Sequence, residues 1–218
     1  MPNDDNVLIA AWLRWLPGGP EQPDAAHAVI DRYREPHRRY HGVQHLACVV
    51  RDVGILLGEV AVTDPATVVA AAFFHDAIYE PRSSTNEADS AALAASTLAA
   101  WESHGWTPSR RDEVVRLILA TAGHVAGAGA DDPSAAVLLD ADLAVLGADP
   151  AAYHAYVLAV RAEYAHVDDA GWRLGRAAVL RSFLTRPTIF QTPSMLRREP
   201  SARANLSAEL ATLAVAST

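Results

Sequence analysis

Lysine is absent from this chain, and all 18 basic residues are arginine. That excludes Schiff-base chemistry, a lysine general base and a P-loop, each of which needs the ε-amine. Cysteine occurs once, as Cys48, so neither a disulfide framework nor a thiolate zinc cluster can form within one chain. No apolar run reaches the roughly 20 residues of a membrane span, because Arg14, Asp76, Asp140 and Asp142 interrupt the candidates. The opening Met-Pro-Asn-Asp-Asp-Asn, Met1 to Asn6, is acidic and lacks the basic region of a signal peptide. The expected location is the cytoplasm. There is no Gly-x-Ser-x-Gly elbow and no glycine-rich phosphate loop after a strand. Arg38-Arg39 is too short a basic run to serve a nucleic acid.

Charge narrows the partners further. Acidic residues number 26, and the net charge is −8. An extended nucleic-acid surface is therefore not expected. A small phosphorylated molecule held by a few local arginines is compatible with that balance. So is a homodimer.

What is present is helical. The 218 residues, half of them hydrophobic, suit one domain with an ample core. Apolar residues recur at helical intervals from Val7 to Leu16, Asp24 to Arg34 and Gly42 to Val60. Thr63 or Asp64 caps a helix that starts at Pro65, carries His75-Asp76 and ends before Pro81. Further helices are expected over 86–101, 108–122, 133–146, 150–165, 169–184 and 203–215, with a loop over 127–132. No strand pattern, repeat or linker interrupts them. The expectation is an all-α, single multi-helix bundle over 1–218.

Chemistry is concentrated at His75-Asp76, two polar side chains inside the apolar stretch Ala-Ala-Phe-Phe-His-Asp-Ala-Ile-Tyr. A buried carboxylate without a partner costs several kcal/mol, about what a metal ion would relieve. On an ideal helix His75 continues the stripe of Val68 and Ala72, and Asp76 that of Val69 and Phe73. His45 lies at the edge of the apolar face of the third helix. Asp142 is bracketed by Leu138, Leu139, Val145 and Leu146 and faces the core. Asp140, about 200° round the helix at about 100° per residue, fits the surface better. His45, His75, Asp76 and Asp142 thus form a mixed His/carboxylate set for one divalent ion. Mn, Fe, Co, Ni, Mg and Zn all suit such ligands.

The order His45 … His75-Asp76 … Asp142 resembles the His … His-Asp … Asp signature of the HD superfamily, metal-dependent phosphohydrolases with an all-α fold. The wider spelling is similar to a branch of small predicted HD phosphohydrolases. It includes Tyr40 to His45, Phe74 to Tyr79, Asn86 to Ala91, Asp140 to Gly147, Arg161 to Tyr164, Ile189-Phe190 and Ala202 to Leu206. The resemblance implies an HD-type phosphohydrolase domain acting on a small phosphorylated substrate, such as a nucleotide, through metal-activated water. It places a proton acceptor at Glu87 or on the back of Asp76. His124 stands either as proton donor or as a cap on the last carbonyls of its helix. Arg161, Tyr164 and His41 are the expected substrate contacts, with a surface pairing of Arg161 and Glu163 as the alternative. An iron-dependent oxygenase and a catalytically silent nucleotide-binding domain are the competing functions.

Overall fold

Four helices begin with the same device, proline in the first turn behind a capping side chain. Asp64 accepts from the Ala66 N–H, Thr107 from Arg110, Asp132 from Ala135, and Asp149 from Ala151 and Ala152. Proline gives up no helical hydrogen bond there, and each cap is worth about 1 kcal/mol. Of the two capping candidates before Pro65, Asp64 does the capping.

The computed structural model describes residues 4–124 and 132–215. These residues form an all-α bundle with no strand among them. The helices are α1 (Asp4–Trp15), α2 (Gln22–Arg32), α3 (Val43–Leu56), α4 (Pro65–Phe74), α5 (Asn86–Ala99), α6 (Pro108–Thr121) and α7 (Pro133–Asp142). They continue as α8 (Pro150–Glu163), α9 (Asp169–Leu184), α10 (Pro193–Leu196) and α11 (Glu199–Val215). Short 3₁₀ turns cover Glu102–His104 and Leu143–Gly147. No described helix is long and apolar enough to cross a membrane. Of the loop expected over 127–132, all but Asp132 lies outside the described residues.

Helix α4 is the axis of the bundle. Its sequence, Pro-Ala-Thr-Val-Val-Ala-Ala-Ala-Phe-Phe, has no polar face, and every residue from Thr67 to Phe74 is buried. A helix that is apolar all round must be surrounded. Helices α1, α3, α5, α6 and α7 pack around it. Trp12 closes one end, with its ring centroid 5.0 Å from Phe73 and 6.0 Å from Trp101 in edge-on contacts.

Helix α4 is shorter than its sequence suggests. It stops at Phe74, so Tyr79 and Glu80 are not helical and the dipeptide sits on the terminal turn. The physical reason is Arg38. Its buried guanidinium takes the Asp76 carbonyl at 2.7 Å and the Ala77 carbonyl at 3.1 Å. The Tyr33 hydroxyl bonds Phe73 and Asp76, and Ser90 bonds both backbone groups of Ile78. Side chains from elsewhere thus replace the next helical turn. Helix α7 likewise ends at Asp142 and tightens into the 3₁₀ turn. Helix α3 ends at Leu56, and α11 begins at Glu199 after the unexpected short α10.

Candidate metal centre

Three helix ends and one helix start meet at the centre of the bundle. His75-Asp76 follows α4, Asp142 closes α7, and His124 follows α6. His45 comes from the first turn of α3. Helix C-termini carry partial negative charge and favour a cation beside them.

His45, His75 and Asp142 converge on one point, and Asp76 reaches the same two imidazoles. His45 Nε2 and His75 Nε2 are 3.1 Å apart. Asp142 Oδ1 lies 3.3 Å from His45 Nε2 and 3.5 Å from His75 Nε2. Asp76 Oδ2 lies 3.5 Å and 3.3 Å from the same atoms. Ligands about 2.1 Å from a shared ion, at tetrahedral to octahedral angles, stand about 3.0–3.4 Å apart. The ligand atoms of His45, His75 and Asp142, 3.1–3.5 Å apart, come close to the spacing of a coordination shell. The two imidazole nitrogens at 3.1 Å are within reach of one N–H···N hydrogen bond, one ring donating and the other accepting. A cation between them would take the place of that shared proton. His45, His75 and Asp142 each offer a ligand atom within 4.8 Å of the others, a group that could hold a metal ion, and Asp76 is not part of it.

One ring is pre-set for this task. His75 Nδ1 lies 2.9 Å from the Ala72 carbonyl, an acceptor only. Nδ1 must carry the proton, which leaves Nε2 as the nitrogen that could bind a metal. Burial alone would push both histidines down. For His75 the Asp76 carboxylate, and for His45 the bonds to Asp142 and Asp76, outweigh it and hold them above the usual histidine range. Burial would likewise raise the two aspartates. The His75 charge beside Asp76, and the bonds from His124, His45 and His75 to Asp142, hold both well below the usual carboxylate range.

Asp76 and Asp142 open onto a cavity of about 810 Å³, while His45 and His75 lie behind them. His41, Glu87, His124 and Tyr164 line that cavity. Glu87 makes no ion pair among the described residues. His124 Nε2 is 2.8 Å from Asp142 Oδ2. Its backbone has φ 43°, the left-handed region that a non-glycine residue enters at a cost of about 1 kcal/mol or more. The chain thus bends sharply after α6 to bring this ring to Asp142. A second cavity, of about 620 Å³, reaches His45 and Asp142 from the other side, and Tyr40 and Tyr156 line both.

Three expectations change. Arg161 does not line the cavity. Its guanidinium takes the Tyr164 and Val167 carbonyls and Asp169, which closes the turn after α8. Two other arginines line it instead. Arg176 is neutralised by Glu209 at 2.7 Å, whereas Arg186 makes no ion pair among the described residues. Arg186 rests on the Phe183 ring and the Gly123 carbonyl. Asp140 is not at the surface. It is fully buried and accepts from Gln191 N, Thr192 N and the Thr192 hydroxyl. Glu163 is not a surface partner of Arg161, because its carboxylate is buried and bonds the 39–41 backbone. Its place inside Arg-x-Glu-Tyr was the only signal in the sequence.

Comparison with protein-family models, curated proteins and solved structures gives no match.

Proposed function

We propose that this chain is a metal-dependent phosphohydrolase of the HD type, acting on a small phosphorylated molecule. The supporting observation is the mutual spacing of His45, His75 and Asp142, with Asp76 beside both imidazoles and both carboxylates facing a cavity large enough for a metabolite. These four residues would hold one divalent ion. Such an ion supplies, when bound, Lewis acidity towards a phosphoryl oxygen and a water of lowered pKa.

The chain's own groups do the rest. Arg186, in the cavity wall without a carboxylate partner among the described residues, faces the phosphate charge. Glu87 takes the proton of the attacking water. His124 keeps its Nε2 on Asp142 Oδ2 and so holds that carboxylate turned towards the two imidazoles. Tyr164 and Trp172 form an aromatic wall for the organic part of the substrate.

The test begins with metal content of the purified protein. Hydrolysis of a panel of phosphomonoesters is then measured with that metal added back. Turnover that follows metal loading supports the reading, and metal-loaded protein inert towards every phosphate ester refutes it.

A second reading has one observation in its favour. Asp142 turns one oxygen to His45 and His75 and the other to His124. Asp142 and His124 would then help to hold a second ion, and a pair of irons would supply oxygenase chemistry. Two irons per chain together with oxygen uptake would favour it over hydrolysis.

A further inference from the structure

Glu163 is the best-bonded carboxylate near the cavity, and its two oxygens have separate tasks. Oε1 takes three successive backbone N–H groups, from Arg39 at 2.7 Å, Tyr40 at 2.8 Å and His41 at 3.0 Å. Oε2 takes His41 Nδ1 at 2.7 Å and the Tyr79 hydroxyl at 3.0 Å. The carboxylate is wholly buried, while the His41 ring is partly exposed to the cavity. The His41 and Tyr79 rings stack with centroids 4.2 Å apart. Oε2 therefore clamps both members of a stacked pair that stands beside Asp76.

The tautomer follows from the partners. An ionised carboxylate can only accept, so His41 Nδ1 must donate. Burial would raise the Glu163 carboxyl, but the His41 contact and the backbone N–H groups bring it down to about 2. It is ionised across the physiological range. The remaining ring nitrogen, Nε2, has no hydrogen-bond partner among the described residues, on a side chain that lines the cavity.

We propose that Glu163 is a positioning residue that fixes His41 with Nδ1 protonated and so presents the Nε2 lone pair as an acceptor to a hydroxyl of the bound phosphorylated substrate. This rests on the phosphohydrolase reading for the identity of the substrate, and on the geometry alone for the action of Glu163 on His41. The arrangement follows a general logic in which a buried carboxylate orients an imidazole for work at its other nitrogen.

Glu163→Gln separates the two tasks. The amide oxygen can still take the three backbone N–H groups, so the loop stays in place. The amide nitrogen then faces His41 Nδ1 donor to donor, and the ring must move its proton to Nε2. The full chain loaded with zinc is used throughout. Nitrogen-15 NMR of the histidine rings at about pH 8 should show His41 as the Nδ1–H tautomer in the unaltered protein and as Nε2–H in Glu163→Gln. Zinc affinity should stay within about threefold. With ribose 5-phosphate as probe, whose hydroxyls can donate to Nε2, Glu163→Gln and His41→Gln should each raise KM about tenfold with kcat nearly unchanged, and the double variant should be no worse than either.

An unchanged His41 tautomer in Glu163→Gln would overturn the proposal. So would a parallel loss of zinc affinity, which would make Glu163 a brace for the His45 helix. Additive losses in the double variant would overturn it as well. Absence of hydrolysis by the unaltered protein defeats the phosphohydrolase reading instead. In that case the tautomer and zinc results still decide whether Glu163 sets His41.

Discussion

Asp140 and Asp142 stand two residues apart at the end of α7, both removed from bulk water, and they face different worlds. Asp140 turns to the chain before α10 and meets only hydrogen-bond donors that never ionise, from Gln191 and Thr192. Asp142 turns to the cavity and meets three imidazoles. Burial outweighs the hydrogen bonds of Asp140 and holds it above the usual carboxylate range, whereas the histidine contacts hold Asp142 well below it. The same residue type is a brace in one place and a ligand candidate in the other. The difference lies in the partners. Backbone N–H groups fix a loop, while imidazoles leave room for a cation.

Replacement of the two residues should separate these roles. Asp142→Ala is expected to lower phosphoester turnover at least about 10³-fold, roughly 4 kcal/mol, because a ligand and the anchor of His124 go together. Metal content of the purified variant checks the cause, which should fall with activity. Asp140→Ala should instead cost about 3 kcal/mol of stability by urea unfolding, since two backbone N–H groups and a hydroxyl lose their acceptor. Its metal content should be normal. If Asp140→Ala lost metal while keeping stability, the contrast between brace and ligand would collapse.

Acidity sharpens the same contrast in metal-free protein. Asp76 and Asp142 are held below their ordinary value of 3.8, so their contribution is complete above that value and is lost as pH falls through their lowered values. His45 and His75 are held above 6.5, so theirs is complete below 6.5 and is lost as pH rises through their raised values. The cluster is therefore most stabilising between those limits. Asp140 has the opposite sign from Asp142, for its contribution is complete below 3.8 and fades as pH rises through its raised value. Urea midpoints across pH should show Asp142→Asn flattening both shoulders by about 1–2 kcal/mol, and Asp140→Asn altering only the acid side. Metal reverses the alkaline shoulder. Ligation needs neutral imidazoles, so zinc affinity should rise with pH and binding should release protons, measurable by calorimetry in buffers of different ionisation heat.

Helical periodicity and the aspartate–proline starts made the bundle legible in the sequence, because both are local. The meeting of His45, His75 and Asp142, with Asp76 beside the two imidazoles, was legible for the same reason, as each interrupts an apolar face. Tertiary partners were not. Helix α4 ends early because Arg38 arrives from 38 residues away to take its carbonyls, and no window around Phe74 contains that fact. Asp140 and Glu163 looked like surface carboxylates because their donors come from remote segments, 51 and 122 or more residues distant. Periodicity reports which face of a helix is apolar. It does not report that a second chain segment will cover the other face with N–H groups.

The arginines repeat the comparison on a smaller scale. Arg161 braces a turn with three bonds to its own neighbourhood, while Arg186 stands in the cavity wall on Phe183. Arg186→Gln should raise KM for a phosphomonoester about tenfold, roughly 1.4 kcal/mol, with a smaller change in kcat, since it removes charge that meets the bound phosphate. Arg161→Gln should leave KM unchanged and lower stability by about 1 kcal/mol, because its carbonyl partners lie near water and can rehydrate. Steady-state kinetics and urea unfolding on the two variants decide the matter. A KM rise confined to Arg161→Gln would move the phosphate to the α8–α9 turn and away from the cavity that Asp76 and Asp142 face.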